Sequence, residues 1–289
     1  GRFVECRLIS IAYLTLFRLL LVAILLAGSG TCLAQRRVAV LPIEGGATVE
    51  LRKMAERSGF ELTDEAQLES ALTGARYKGD LNLSTEEARG LGLSIGCDFF
   101  VTGIARVQRR LLSEKESYFD VIAALFAVET RTGQLAGFAF SSNRFATEKD
   151  ATQALPGMMA TIWPKAANAI ESAIGKEEIA NKSTVYDLDS KEAERLGIKP
   201  PQFFRRIKPQ MTESADLAGI SATIELKVEF LADGKIGLIL PLKWGGFGLD
   251  EAAESAVRQL RFEPATLNGK PVSVSAMVRY NFRKEEKSK

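Results

Sequence analysis

The sequence predicts an α+β chain. It has an apolar amino-terminal helix, a mixed α/β middle domain and a small ββαβ carboxy-terminal domain. Three observations carry this prediction. Leu8 to Ala27 is an apolar stretch of twenty residues broken only by Arg18. Residues 36 to about 178 alternate short β-rich runs with helical patterns. Residues 223 to 283 show period-two alternation on both sides of one short amphipathic helix.

The first element reads as an export signal. Arg2, Arg7 and Arg18 are basic, Leu19 to Ala27 is an apolar core, and Gly28-Ser29-Gly30-Thr31 breaks the helix before a small-x-small cleavage site at Cys32-Leu33-Ala34. The signal peptide is therefore 1–34. The alternative is an uncleaved inner-membrane anchor with membrane contact through residues 8–27, against which a charge near mid-span counts. A lipoprotein site at Cys32 is weak, because no large apolar residue precedes it.

Composition limits what the rest does. The chain has 289 residues, 46% hydrophobic and 26% charged, as expected of a folded protein. There is no histidine, which removes the commonest general base and metal ligand. Without residues 1–34 only Cys97 remains of three cysteines, so no internal disulfide and no cysteine zinc site can form. Three basic and one acidic residue leave with that segment, so 35 of each remain and no nucleic-acid partner is indicated. The sequence predicts no enzyme, no cofactor and no metal.

In the middle domain, residues 36–178, Val38 to Ile43 is a buried strand, residues 47 to 58 favour a helix, and Phe60 to Thr63 is a second strand. Asp64 caps a helix over Glu65 to Leu72, and Ser84 with Glu87 forms a capping box for a helix ending near Gly96. Cys97 to Ala105 is a third strand. Tyr118 to Thr130 and Gln134 to Phe145 form a hairpin across Arg131-Thr132-Gly133. Ala151 to Ile174 is a helix that closes over the sheet. A linker, residues 179–199, follows, with one or two helical turns at Ser190 to Leu196.

In the last domain, residues 200–283, Ile224, Leu226, Val228 and Phe230 share one face, and Asp233-Gly234 turns the chain. The next strand is expected to place Ile236, Leu238, Leu240 and Leu242 on that face. Leu249, Ala253, Ala256, Val257 and Leu260 form the buried stripe of a helix. Val272, Val274, Ala276, Val278, Tyr280 and Phe282 point inward in the last strand. Ser273, Ser275, Met277, Arg279 and Asn281 point outward. Residues 284–289 are a charged tail. Gly245-Gly246-Phe247-Gly248 precedes a helix as phosphate loops do, yet it lacks their Lys-Ser/Thr ending, and Asp250 and Glu251 would repel a phosphate. Trp163 and Trp244 read as packing residues.

One combination is specific. Ala232-Asp233-Gly234-Lys235, then Gly246 to Ala253, then Leu260-Arg261-Phe262-Glu263-Pro264-Ala265, then Asn268-Gly269-Lys270-Pro271-Val272 and an alternating strand stand in one order. Residues 200–283 thereby resemble the TonB C-terminal domain family. They depart from its pattern at Leu260, Ala222 and Pro209 to Thr212. Residues 36–178 resemble, more weakly, the TolB N-terminal domain and the curli-secretion lipoprotein domain, through Val38 to Ile43, Asp98 to Gly103 and Thr130 to Gly133.

The resemblance implies a non-enzymatic protein of the periplasm or cell envelope. Its last strand would offer its edge to an extended protein or peptide partner, an outer-membrane receptor in the family. Ser273, Ser275, Met277, Arg279 and Asn281 are the candidate partner-binding residues. Two alternatives stand beside this. The same edge can pair with the middle domain or with a second copy, as a homodimer or structural scaffold. The chain can also be an anchored energy transducer, but that machine needs a long Pro-rich spacer, and the nine prolines form no such tract.

Overall fold

A computed structural model describes residues 37–43, 45–112, 116–174, 185–205 and 207–283. The predicted amino-terminal helix and the charged tail lie outside these residues. Among the described residues no helix is long and apolar enough to cross a membrane.

The first sheet is built around β1 (Arg37–Val40), whose last three residues are fully buried. Helix α1 (Thr48–Arg57) leads from it to β2 (Glu61–Leu62), which lies parallel to β1 on one side. Helices α2 (Glu65–Gly74) and α3 (Thr85–Ile95) carry the chain back across β1 to β3 (Phe99–Leu111), parallel on the other side. β4 (Ser117–Glu129) and β5 (Leu135–Phe145) continue as an antiparallel meander, giving the order β2-β1-β3-β4-β5.

Local chemistry places these elements. Asp64 accepts a hydrogen bond from the Gln67 amide at 3.1 Å and starts α2. Ser84 and Glu87 complete the reciprocal capping box of α3. Gly96 ends α3 at φ 76°, a left-handed conformation that glycine adopts without Cβ strain.

Strand alternation gives this sheet two buried faces. Val101, Ala105, Val121, Ala123 and Leu125 pack against α1 and the long helix α4 (Glu148–Ala173). Phe100, Ile104, Ile122, Ala124 and Phe126 face α3 and the carboxy-terminal region.

That region begins with β6 (Tyr186–Asp187), α5 (Lys191–Leu196), β7 (Gln202–Arg205) and α6 (Glu213–Ala218). Strands β8 (Ala222–Phe230) and β9 (Ile236–Lys243) form the predicted hairpin, followed by α7 (Leu249–Arg258). Short pieces β10 (Arg261–Glu263), β11 (Ala265–Leu267) and β12 (Lys270–Val272) lead to β13 (Val274–Phe282). β10 pairs with β7 and β11 with β12, while the main sheet has the order β6-β13-β8-β9.

β8 follows the predicted alternation, with Ala222, Ile224, Leu226, Val228 and Phe230 buried. The expectation for β9 is corrected. Leu238 and Leu240 are 46% and 38% exposed. Phe230 stands opposite Ile236, but Val228 stands opposite Ile239 and Leu226 opposite Pro241. Gly237 and Leu238 thus both oppose Glu229, whose carboxylate takes the displaced Leu238 amide at 3.1 Å. A bulge of one residue moves the side chains that follow to the other face, until a second shift at Leu242 sets Lys243 opposite Glu225.

The two sheets share one hydrophobic core and one compact unit. The loop after β9 supplies the join. Phe247 enters among Phe126, Phe138 and Phe140, with ring centroids 5.8, 4.9 and 5.6 Å away. The Trp244 indole donates to the Gly133 carbonyl at 3.1 Å. Asn82 bonds both backbone groups of Thr223, at 3.0 and 2.9 Å, and donates to the Trp244 carbonyl at 2.7 Å. Each buried backbone group so satisfied escapes a desolvation cost of roughly 1–3 kcal/mol.

Candidate partner-binding edge

β13 pairs along its whole length with β8, from Val274 opposite Phe230 to Phe282 opposite Ala222. Among the described residues its other side is covered only at its start. There β6 lies parallel, with Tyr186 opposite Val274 and Asp187 opposite Ser275. The amides of Tyr186 and Leu188 donate to the carbonyls of Ser273 and Ser275 at 3.1 and 2.9 Å. In an antiparallel ladder alternate residues turn their N–H and C=O to opposite sides. The outward set is therefore Ser273, Ser275, Met277, Arg279 and Asn281. β6 engages the carbonyls of the first two. Among the described residues no backbone bond reaches the outer side of Met277, Arg279 or Asn281.

The side chains of these residues lie on the sheet face away from the core. Met277 is 43% exposed. Arg279 donates to Glu225 at 2.7 Å, and the Asn281 side-chain carbonyl accepts from the Thr223 hydroxyl at 2.8 Å. The Ser273 hydroxyl accepts from the Ala232 amide at 3.0 Å and so braces the β8–β9 turn. The structure thus brings Met277, Arg279 and Asn281 to an open edge and places Ser273 and Ser275 beneath a strand of the same chain. At the far end the edge meets a cavity of about 890 Å³ between residues 208–216 and 281–283.

β6 is clasped by charge. Lys227 of β8 reaches across β13 and donates to Asp187 at 2.6 Å and Asp189 at 2.7 Å. Burial alone would raise the Asp187 carboxyl, but the bonds from Lys227 and the Asp189 amide hold it below the usual aspartate range. Burial would likewise lower Lys227, but its two carboxylate bonds hold it above the usual lysine range. The sequence carries little signal for this clasp. Tyr186 and Leu188 are a brief apolar alternation in a polar segment, and nothing local ties Asp187 to a lysine forty residues on.

The glycine-rich loop before α7 is already occupied by its own acid. Asp250 accepts from the Gly246 amide at 2.7 Å and from the Gly245 amide at 3.1 Å. Those amides are the ones a phosphate would need. Burial pushes the Asp250 carboxyl up to about 6, against the opposing pull of the Gly246 and Gly245 amides. Gly246 and Gly248 take φ of 66° and 74°, and Phe247 between them is forced to 54°. The Thr212 and Ser214 hydroxyls hold the Phe247 carbonyl at 2.6 and 2.7 Å. Among the described residues no cluster of three acid, cysteine or histidine side chains could hold a metal. Burial raises the Cys97 thiol to about 11, far from a reactive thiolate.

Residues 208–283 match the family model described as the Gram-negative bacterial TonB protein C-terminal. Among solved structures, the chain is similar to the TonB carboxy-terminal domain of Pseudomonas aeruginosa, with 22% identity, 37% of this chain and 100% of that chain covered, and a TM-score of 0.28. The LpoB C-terminal domain from Escherichia coli shows 16% identity over 38% of this chain and 82% of that chain, with a TM-score of 0.28. The lipoprotein GNA1162 from Neisseria meningitidis shows 12% identity over 49% of this chain and 99% of that chain, with a TM-score of 0.31. No curated protein matches the chain.

Proposed function

Starting from a carboxy-terminal region matched by the TonB C-terminal family model, we propose that this chain is a non-enzymatic cell-envelope protein that docks a partner protein by strand addition to β13. The open outer side of Met277, Arg279 and Asn281 is the observation that carries this reading. An unpaired edge is a template for another backbone, which supplies affinity through main-chain bonds and selectivity through alternate side chains. The five residues from Met277 to Asn281 can receive an extended segment of similar length. Each backbone bond contributes roughly 0.5–1.5 kcal/mol net, so so short a ladder suits a transient contact. The family relationship makes an extended segment of an outer-membrane receptor the favoured partner, met from the periplasmic side in TonB-type transport.

Met277→Pro tests this. It removes an outward N–H and leaves the bonds to β8 in place. Capture of partners from an envelope extract should fall strongly relative to Met277→Val, with circular dichroism and melting temperature showing an intact fold. Unchanged capture by a folded Met277→Pro protein would refute edge docking. Loss of a dimer in sedimentation, with no partner captured by either form, would assign the edge to a second copy. Mass spectrometry of the mature amino terminus decides the anchored alternative, since a chain starting at Gln35 cannot be a membrane-retained transducer.

A further inference from the structure

The first sheet holds a cavity that edge docking does not use. β1 sits between two parallel neighbours, with α1 leading away to one side and α2 and α3 bringing the chain back to the other. A cavity of about 590 Å³ lies at the end of β1, between α1 and α2. That is within the roughly 300–1,000 Å³ of small-molecule sites.

The cavity's walls are largely apolar. Val40 and Pro42 come from the end of β1, and Leu68 and Leu72 from α2. α1 contributes Thr48 and Arg52, one helical turn apart and so on the same side. Arg52 donates through Nη2 to the Thr63 carbonyl at 3.3 Å. Its Nη1 is buried and, among the described residues, has no hydrogen-bond partner. A charged donor left in that state costs more than the roughly 1–3 kcal/mol of a neutral one. The Thr48 hydroxyl accepts from the Ile43 amide at 2.9 Å, which leaves its own proton to donate. The charges at the rim, Glu65, Glu69, Arg76 and Lys78, are exposed and of both signs, so solvent screens them. Arg52 is the half-buried charge among them, with its Nη1 withdrawn from water.

We propose that this cavity binds a small amphiphilic anion, a carboxylate that draws the Arg52 guanidinium out of its buried position and bonds to it and to the Thr48 hydroxyl while its apolar body lies along Leu68 and Leu72. A guanidinium and a carboxylate match in charge and in planar geometry. The site needs no covalent step and is independent of the β13 edge.

Isothermal titration of the full chain with decanoate, kept below its micellar concentration, tests the proposal. Decanoate should bind saturably at one per chain. Acetate, which lacks the body, and decyltrimethylammonium, which reverses the charge, should not. Arg52→Gln should weaken decanoate by roughly 10- to 100-fold, the loss of one charge-assisted bond. Leu72→Trp, which fills the cavity from α2 and leaves Arg52 in place, should abolish binding. No saturable decanoate binding, equal binding of the cation, or undiminished binding by folded Arg52→Gln would overturn the assignment. If Arg52→Gln does not fold, retained binding by Leu72→Trp overturns it instead.

Discussion

Phe247→Ala measures whether the two sheets unfold as one body. Phe247 is 1% exposed and touches three phenylalanines of the first sheet while standing in the loop of the second. Truncating a buried phenylalanine costs roughly 3–5 kcal/mol, from lost transfer free energy and the cavity left behind. Ring pairs of this geometry add roughly 0.5–1.5 kcal/mol each beyond burial, so the upper part of that range is expected. Alanine keeps the positive φ of 54°, so backbone strain does not change between the two proteins. A domain of ordinary stability has only about 5–15 kcal/mol in total. The variant should therefore show a single urea transition at a much lower midpoint with the slope nearly unchanged. Hydrogen exchange followed by mass spectrometry should report the same loss of protection in β4 and in β8. A fall confined to β8, or two separate transitions, would refute the shared core as a cooperative link.

Two further outcomes follow from charge. Asp250 has a folded value of about 6 against an ordinary 3.8, so the folded state holds its proton more tightly and stability falls as pH rises through that window. The difference corresponds to at most roughly 3 kcal/mol. Asp250→Asn keeps an acceptor for the Gly246 amide and should flatten urea midpoints measured between about pH 4 and pH 7; an unchanged slope would show that Asp250 is not its source. Lys227→Met should release β6, seen as lost protection of the Tyr186 and Leu188 amides, with global stability changed by no more than about 1 kcal/mol. The clasp has two pH limits. The lowered Asp187 contributes above its ordinary range and is lost on acidification, and the raised Lys227 contributes below its ordinary range and is lost in alkali. Retained protection in Lys227→Met would mean that the backbone bonds to Ser273 and Ser275 suffice alone.

Much of the site was legible because it is local. The alternation of Ile224 to Phe230 and of Val274 to Phe282 fixes which residues of β8 and β13 reach the core, and by parity which backbone groups of β13 look outward. The caps at Asp64 and at Ser84 with Glu87 were legible for the same reason, since each needs only three residues of sequence separation. β9 was misread because its pattern of Ile236, Leu238, Leu240 and Leu242 is apolar on both parities once Ile239 and Pro241 are counted. Periodicity cannot choose between two apolar faces, and the bulge opposite Glu229 made the choice.

The sequence alone therefore determined the hairpin, helix and final strand of a TonB-type carboxy-terminal region, because these follow from residue spacing and turn chemistry within a few positions. Only the tertiary structure decided how much of the β13 edge is open, how Phe247 joins the sheets, and that, among the described residues, Arg52 is left with a buried unpartnered nitrogen. Each of these depends on groups far apart in the chain, as Trp244 and Gly133 are at 111 residues, and no local pattern encodes which distant surface will arrive.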